Sequence, residues 1–247
     1  MVIAAAQIAS ARGDVAGNAA RHLRFAEEAA KRGVRLLVFP ELSLTGYELE
    51  IARDHVIHPD DAVLAPLRQL ASSVPMTAVV GAPIRGDRGA LHIGAIAMLP
   101  DGSVSTYAKV HVHSSEAHVF ECGPGGADLA IDGLSVGLAI CRDAAIPGHA
   151  AAAASRGVKL YAAGVMIDEE GYARKVPLMR GYAREYGIAV LMANYSGISG
   201  GEVSAGKSAI WGEDGEPVAE SPGTEESLVI GSREGGIWRG QAVMMGS

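Results

Sequence analysis

The sequence has few cysteines, few aromatic residues and no long apolar run, and each shortage excludes a class of protein. Two cysteines among 247 residues exclude a small secreted scaffold held together by disulfides. No apolar run approaches the ~18 residues of a membrane-spanning helix, so we expect no membrane partner. Lys and Arg do not cluster, and 21 basic against 28 acidic residues leave a net charge of −7, so we expect no nucleic-acid partner.

The residues that are plentiful indicate one closely packed domain. The chain is long enough to bury a core, and 49% apolar with 20% charged residues is ordinary for a globular protein. With 32 glycines and only 5% aromatics, the composition favours close backbone packing over an aromatic-lined groove. We expect a single domain over residues 1–247. The first residues lack the positively charged segment of a signal peptide, so we expect a cytoplasmic protein.

Hydrophobic patterning alternates strands and helices along the chain. Short apolar runs predict strands, and apolar residues three or four positions apart predict helices. The predicted strands are residues 2–6, 34–39, 76–81, 90–99, 103–108, 134–140, 158–163, 188–193, 204–211, 216–221 and 228–231, and the predicted helices are residues 14–32, 61–71, 147–155 and 176–186. This order, with tight turns such as Asp101-Gly102, is typical of an α/β fold with mixed sheets and helices outside.

Three residues of complementary chemistry follow predicted strands. Cys141 lies between a strand and a helix, where we expect an exposed thiol whose negative charge the helix N-terminus favours. Glu41 lies just past a buried strand, where desolvation can raise the pKa of a carboxyl group and suit it to general-base catalysis. Lys109 also follows a strand and could stabilise an oxyanion. Taken singly, each has a structural alternative: a small buried hydrophobe, a solvated loop acid and a surface lysine.

Together, these segments resemble the nitrilase superfamily of carbon–nitrogen hydrolases, with an amidase-like member expected. Its three catalytic signatures are matched in order by Phe39-Pro40-Glu41, Tyr107-Ala108-Lys109-Val110-His111 and Ile140-Cys141-Arg142-Asp143. Further matches are Phe120 with Gly123-Pro124-Gly125, Ala183-Arg184-Glu185, the strand ending in Asn194, Gly206-Lys207-Ser208, and Asp214-Gly215-Glu216. The resemblance covers about residues 2–231.

The resemblance implies a four-layer αββα sandwich with two mixed β-sheets and a cysteine hydrolase of non-peptide C–N bonds. Glu41 would take the thiol proton as Cys141 attacks a carbonyl carbon, and Lys109 with the backbone N–H of Arg142 would hold the oxyanion. A thioester would then be hydrolysed, with no metal or organic cofactor. The expected substrate is a small carboxamide, with an N-carbamoyl compound or a nitrile as alternatives. A homodimer or larger even homo-oligomer is also implied.

Three further residues have roles implied beside this set. Glu116 resembles a second family glutamate and could position Lys109 through a charge-assisted hydrogen bond. The Arg142 side chain could pair with a substrate carboxylate or internally with Asp143. His113 could lie near the pocket.

Three other features of the sequence are not expected to take part in the reaction. His111, His113 and His118 suggest zinc, but no cysteine or carboxylate joins them at a standard spacing, so no metal is expected. Residues 206–208 imitate the end of a phosphate-binding loop, yet residues 201–206, which would complete that loop, lead into a predicted strand and not into a helix. Cys122 is interpreted as structural.

Two hypotheses of another class stay open at this stage. A non-catalytic binding protein of the same fold would be favoured by loss of one member of the set, but Glu41, Lys109 and Cys141 are all present. A thiol peptidase would need a histidine to take the proton of Cys141. His149 is the nearest in sequence, with no residue predicted to orient it and no role left for Lys109.

Overall fold

The structure is a computed structural model that describes residues 1–86 and 89–246. Its strands are β1 (Val2–Gln7), β2 (Leu36–Val38), β3 (Thr77–Arg85), β4 (Leu91–Met98), β5 (Val104–Ala108), β6 (Leu129–Ile131), β7 (Leu134–Ile140), β8 (Leu160–Gly164), β9 (Ala189–Ala193), β10 (Ile198–Ser199), β11 (Glu202–Val203), β12 (Ala209–Trp211), β13 (Pro217–Glu220), β14 (Ser227–Glu234) and β15 (Ile237–Met244). Its α-helices are α1 (Val15–Lys31), α2 (Ala65–Ser73), α3 (Pro147–Ser155) and α4 (Glu169–Tyr186).

Two mixed sheets form the centre of the molecule. The first has seven strands in the order β15-β14-β1-β2-β3-β4-β5, in which β1, β2 and β3 are parallel and the other pairs antiparallel. The second has six strands in the order β13-β12-β9-β8-β7-β6, in which β7, β8 and β9 are parallel. Strands β10 and β11 form a separate hairpin. Parallel strands in both sheets require crossover helices, which the chain supplies.

Strand periodicity divides the side chains between layers. In β1, Ile3 and Ala5 pack in a core shared with the six-stranded sheet, whereas Ala4 and Ala6 pack in a core shared with α1 and α2. Residues of α3 and α4, such as Ala153 and Met179, join the first of these cores. The result is the expected four-layer αββα sandwich.

Local signals explain most helix ends. The Asp14 side chain accepts a hydrogen bond from Gly17 N at 3.0 Å and begins α1. Gly187 ends α4 in the left-handed conformation, with φ +60°, which glycine adopts without steric cost. Strand β7 and helix α3 have the predicted bounds.

Some of the predicted elements differ from the structure, among them the starts of one helix and one strand and a strand that was not predicted. Helix α4 begins at Glu169, seven residues before the predicted start, because Asp168 caps it by accepting a hydrogen bond from Gly171 N at 2.7 Å. Strand β12 is shorter than predicted, since Lys207 has a positive φ of 52°. The last predicted strand is followed by β15, whose mostly exposed residues carry no clear apolar alternation. Within the described ranges, no helix has the length and apolar character needed to cross a membrane.

Candidate active site

The three candidate residues come from both sheets and meet where their strands end. Glu41 follows β2, and Lys109 follows β5, so both belong to the seven-stranded sheet. Cys141 follows β7 of the six-stranded sheet and begins a short 3₁₀ turn, Cys141–Ala145. Strands β2 and β4 of one sheet contact β8 and β7 of the other, which brings these ends together.

Glycines make room for the loop that carries Glu41. A Cβ atom on Gly81 would lie 2.4 Å from the oxygen of Pro40, and one on Gly164 would lie 2.6 Å from the oxygen of Phe39. Real Cβ atoms do not approach so closely, so both glycines are required for the loop to pass between the sheets. Leu42, with φ 53°, turns the chain immediately after Glu41.

A chain of buried hydrogen bonds also holds the loop that carries Glu41 in place. His22 Nδ1 lies 2.7 Å from the Asn18 oxygen, so Nδ1 carries the proton and donates. His22 Nε2 then accepts from the Ser43 hydroxyl at 2.9 Å, and Ser43 Oγ accepts from Gly81 N at 3.2 Å. Burial lowers the pKa of His22 to about 4, which keeps the ring neutral at pH 7.

Lys109 joins two carboxyl groups in the protein interior. Its Nζ donates to Glu41 Oε1 at 2.6 Å and to both Glu116 oxygens at 2.8 Å. The exposed fractions are 0% for Lys109 and Glu116 and 1% for Glu41. Glu116 also accepts from the Tyr47 hydroxyl at 2.6 Å and from His113 N at 2.7 Å. The contact between Glu116 and Lys109 is therefore the one predicted from the sequence.

The turn at Cys141 is held by a buried carboxyl group. Asp143 accepts hydrogen bonds from Ile140 N at 3.1 Å, from the Tyr107 hydroxyl at 2.7 Å and from His111 N at 2.8 Å. These bonds tie the turn to the segment that carries Lys109. Cys141 itself has a φ of 42°, an unfavourable conformation for a residue with a side chain.

The comparisons with known proteins agree with this geometry. The sequence profile of the family described as carbon–nitrogen hydrolase matches residues 2–235. The chain belongs to that family. The hydrolase is 28% identical to a nitrilase from Pyrococcus abyssi over 212 residues, which cover 83% of this chain and 78% of that protein.

Another curated relative is much longer than this chain. A glutamine-dependent NAD(+) synthetase from Rhodobacter capsulatus is 28% identical over 253 residues, which cover 96% of this chain but only 44% of the synthetase. The hydrolase therefore spans less than half of that relative. A solved structure of an amidase of the nitrilase superfamily from Nesterenkonia AN1 matches with a TM-score of 0.82 and 29% identity, covering 93% of this chain and 90% of that one. These matches support an enzyme that acts on carbon–nitrogen bonds.

Burial separates the ionisation behaviour of the site residues. It raises the pKa of Glu41 to about 7, although the Lys109 ammonium lowers it. Burial disfavours the charged form of Lys109, but the negative groups nearby, Glu41 first, outweigh that effect and raise the pKa of the lysine. It would also raise the pKa of Glu116, yet the charge and hydrogen bonds of Lys109 lower that pKa. Glu41 is thus the carboxyl group with a pKa near neutral pH.

The expectation of an exposed Cys141 with a favoured thiolate is wrong. Cys141 is 8% exposed, and burial, followed by the charge of Glu41, raises the pKa of its thiol to about 11. The residue heads a five-residue 3₁₀ turn, and α3 begins only at Pro147, so no long helix dipole is aimed at the sulfur. The hydrolase therefore holds a neutral thiol at rest.

A cavity of about 510 Å³ opens beside the thiol. Its lining includes Cys141, Arg142, His113 and Glu116, as well as four residues that the sequence analysis did not select: Tyr47, Met166, Lys175 and Leu178. The α4 residues before position 176, such as Lys175, were missed because that helix was predicted to begin at residue 176. The signal that would have found them is Asp168 followed by two glutamates, an N-cap with acidic residues in the first turn.

Arg142 is half-buried in the cavity wall, and it does not pair with Asp143. Among the described residues, no carboxylate lies within 4.0 Å of its guanidinium. The internal pair considered for Arg142 is therefore wrong, and the side chain remains available to a ligand.

The remaining candidates lie outside this chemistry. His149 is held between two hydroxyls, with Nε2 2.8 Å from Tyr107 and Nδ1 2.7 Å from Tyr161, so neither nitrogen serves a cysteine. In the ranges described, no group of three His, Cys, Asp or Glu residues is arranged to hold a metal ion. Cys122 is exposed, and both cysteines are free. Lys207 leads into β12 and pairs with Glu169, so residues 206–208 form no phosphate loop.

Proposed function

We propose that this hydrolase is a cysteine-dependent amidase that releases ammonia from a small carboxamide through a thioester acyl-enzyme. The observation that carries the proposal is the free oxygen of Glu41. Its Oε1 accepts from Lys109, whereas no donor among the described residues reaches the buried Oε2. Leaving a buried carboxylate oxygen unsatisfied costs free energy, and such an atom in a native site calls for a functional explanation. Oε2 is suited to receive a proton from the thiol or from water.

The first half of the reaction forms the thioester. The Cys141 thiol gives its proton to Glu41 Oε2 as Sγ attacks the carbonyl carbon. The carbonyl oxygen gains the negative charge, which the Lys109 ammonium and the backbone N–H of Arg142 stabilise. The tetrahedral intermediate collapses, the C–N bond breaks, and the leaving nitrogen takes the proton from Glu41 and departs as ammonia.

The second half regenerates the enzyme. A water molecule gives a proton to Glu41, and its oxygen attacks the thioester carbon. The second tetrahedral intermediate collapses with cleavage of the C–S bond, and the sulfur recovers the proton held by Glu41. Glu41 therefore alternates between base and acid, a task for which a pKa of about 7 is well matched at neutral pH. The steps need no cofactor.

Glu116 is a positioning residue in this proposal. Both of its oxygens bind Lys109, while Tyr47 and His113 N hold the carboxylate from the other side. This arrangement keeps the ammonium charged and fixed beside Glu41. The charge of Lys109 is then already in place when the oxyanion forms, which is the basis of electrostatic stabilisation.

The choice of a carboxamide rests on similarity and size. One structure of the Nesterenkonia amidase is a complex with butyramide. The cavity of about 510 Å³ accommodates a molecule of that size. An N-carbamoyl compound or a nitrile would meet the same thiol, so turnover measurements must distinguish them.

Ammonia release tests the proposal. The wild-type enzyme is assayed with butyramide, N-carbamoyl-β-alanine and butyronitrile, and the acyl-enzyme is sought by intact-protein mass spectrometry after rapid acid quench. We expect butyramide to have the highest kcat/KM and to leave a butyryl adduct on Cys141. The Cys141→Ala variant should be inactive on all three compounds.

Cys122→Ser is the matched control. Cys122 is exposed and free, so its removal should leave turnover unchanged. Turnover by Cys141→Ala would contradict the mechanism. Preference for the carbamoyl compound or the nitrile would contradict the amidase assignment, and no turnover of any of them with a correctly folded enzyme would favour a non-catalytic binding protein.

We further infer one cytoplasmic domain over residues 1–247 that assembles as a homodimer or larger even oligomer. The pairing of β14 and β15 beside β1 joins both ends of the chain in one sheet, which supports a single folding unit. Two unpaired cysteines suit a reducing compartment. Large apolar side chains remain exposed on β10, β11 and β15 and would be covered by assembly: Ile198, Val203, Ile237 and Met244. A monomeric mass by light scattering would contradict the assembly.

A further inference from the structure

Helix α4 directs a lysine at the proposed nucleophile. Lys175 Nζ lies 3.5 Å from Cys141 Sγ. Gly171, Lys175 and Leu178 line the cavity and are three or four residues apart, so they occupy one face of the helix. The ammonium group therefore reaches the sulfur from helix α4, which lines the cavity.

Lys175 is half-buried and has no acidic partner in the described ranges. The acids of the first turn of α4 are engaged elsewhere, because Glu170 pairs with Arg174 and Glu169 pairs with Lys207. A partly desolvated ammonium has only a weak electrostatic interaction with a neutral thiol. The same ammonium beside a thiolate gains a charge-assisted contact.

We propose that Lys175 is a catalytic residue that stabilises the negative charge developing on Cys141 Sγ. This inference rests on the proposed cysteine mechanism. The thiol proton still passes to Glu41 Oε2, and Lys175 keeps its own protons throughout. Its contribution is electrostatic, and it is largest when Sγ is a thiolate, which occurs before attack and again when the thioester breaks.

The charge balance of the buried cluster explains why a second cation is needed. Glu41, Lys109 and Glu116 together carry a net charge of −1 when both carboxyl groups are ionised, which opposes a thiolate nearby. Lys109 is also occupied by its two carboxylates. Burial and Glu41 raise the pKa of the Cys141 thiol, and the charges that lower it are those of Lys175 and then Lys109. Tyr47, His113, Arg142 and Arg174 also line the cavity, but their side chains make no hydrogen bond to Sγ.

Alkylation of the thiol tests the proposal without depending on the substrate. In a Cys122→Ser background, Cys141 is the only cysteine, and its rate of alkylation by iodoacetamide is measured against pH. For Lys175→Met we expect the inflection to move up by about one pH unit and the rate at pH 7 to fall about tenfold. Lys175→Arg should restore much of the rate. Lys31→Met, at a lysine whose side chain is 71% exposed on α1, is the matched control and should alkylate as wild type.

Turnover of two amides separates this role from substrate binding. Lys175→Met should lower kcat/KM for neutral butyramide and for succinamate, a monoamide with a carboxylate, by the same factor. Normal alkylation with loss confined to succinamate would overturn the proposal and make Lys175 a carboxylate-binding residue. Normal alkylation with unchanged turnover would make it structural. If Lys175→Met fails to fold, Lys175→Gln is subjected to the same alkylation profile, and an unshifted inflection there overturns the proposal.

Discussion

Two groups of residues around Cys141 differ in burial and in charge pairing. One, called the buried wall below, contains Glu41 and Lys109 and does not line the cavity. The other, called the open wall below, is the cavity lining from the six-stranded sheet and α4. On the side of the seven-stranded sheet, Glu41 and Lys109 are almost wholly buried and form an ion pair of 2.6 Å. On the side of the six-stranded sheet and α4, Arg142 and Lys175 are half-buried cations without carboxylate partners in the described part of the chain, and Leu178 is 38% exposed. The charges of the buried wall are paired with each other before any ligand binds, whereas the cations of the open wall can pair with a ligand.

This difference separates two kinds of function. The buried wall has a fixed arrangement that can serve every turnover in the same way, since its charges are already in place. The open wall meets parts of the substrate that vary between compounds. Substitutions in the buried wall should therefore reduce activity on all substrates, whereas most substitutions in the open wall should act selectively. Lys175 is the exception, because it contacts the reacting sulfur.

The largest effect is expected for Glu41→Gln. Glutamine has the same shape but cannot accept the thiol proton, so we expect kcat/KM for butyramide to fall by about 100-fold or more while the fold persists.

Lys109→Met should lose activity by about 100–1,000-fold and should also lose about 3–5 kcal/mol of stability, because two buried carboxyl groups lose their counter-ion. Turnover and urea denaturation measured on both variants test this contrast. Near-wild-type turnover by either folded variant would remove that residue from the mechanism.

The pH dependence of activity tests the buried wall without mutation. Glu41 must be ionised to accept a proton, and its pKa is raised from 4.5 to about 7. We therefore expect kcat/KM to fall about tenfold per pH unit below that pKa and to level off above it. A profile measured between about pH 5 and pH 8 covers the inflection. An inflection near the ordinary value of 4.5 would contradict the desolvated environment assigned to Glu41.

The buried wall was also the part that the sequence made predictable. Glu41 and Lys109 lie just past strands β2 and β5, and β2 is easy to recognise because it is a continuous apolar run that is buried on both faces. Glu116 was identified through its resemblance to a family position, and its contact with Lys109 is present. The α/β order followed from the strand and helix patterns, whereas the four layers were implied by the resemblance to the family.

The open wall was harder to predict because its signals are weak or contradictory. Pro177 lies inside α4 and separates Leu178 from the capped start of the helix, so the apolar pattern alone placed the helix too late. Away from the cavity, β15 at the edge of the seven-stranded sheet has mostly exposed residues and was missed for lack of alternation. The burial of the Cys141 side chain depends on how one sheet packs against the other, and the sequence around Cys141 does not indicate that packing.

Glycine substitutions measure how tightly the buried wall is packed. Gly81→Ala would bring a methyl group to 2.4 Å from the backbone of the Glu41 loop. We expect a loss of about 1–3 kcal/mol of stability and a lower kcat, as the loop shifts. Gly181→Ala is the matched control, since a Cβ there meets nothing within 4 Å and the residue lies in α4. That variant should be neutral or more stable by up to about 1 kcal/mol. Equal effects of the two variants on thermal unfolding and kcat would argue against the packing explanation.

The smallest and most selective effect is expected for Arg142→Ala. The substitution keeps the backbone N–H at the oxyanion and removes a half-buried guanidinium that has no internal acid partner in the described ranges. An exposed ion pair with a substrate contributes at most about 1 kcal/mol, so kcat/KM for succinamate should fall about fivefold. Butyramide, which has no charge, should be turned over at the wild-type rate. Arg142→Lys keeps the charge and should retain most of the preference for succinamate. If both amides lose activity by the same factor, the side chain supports the Cys141 turn and does not bind substrate. The selectivity expected of the open wall would then not apply to Arg142.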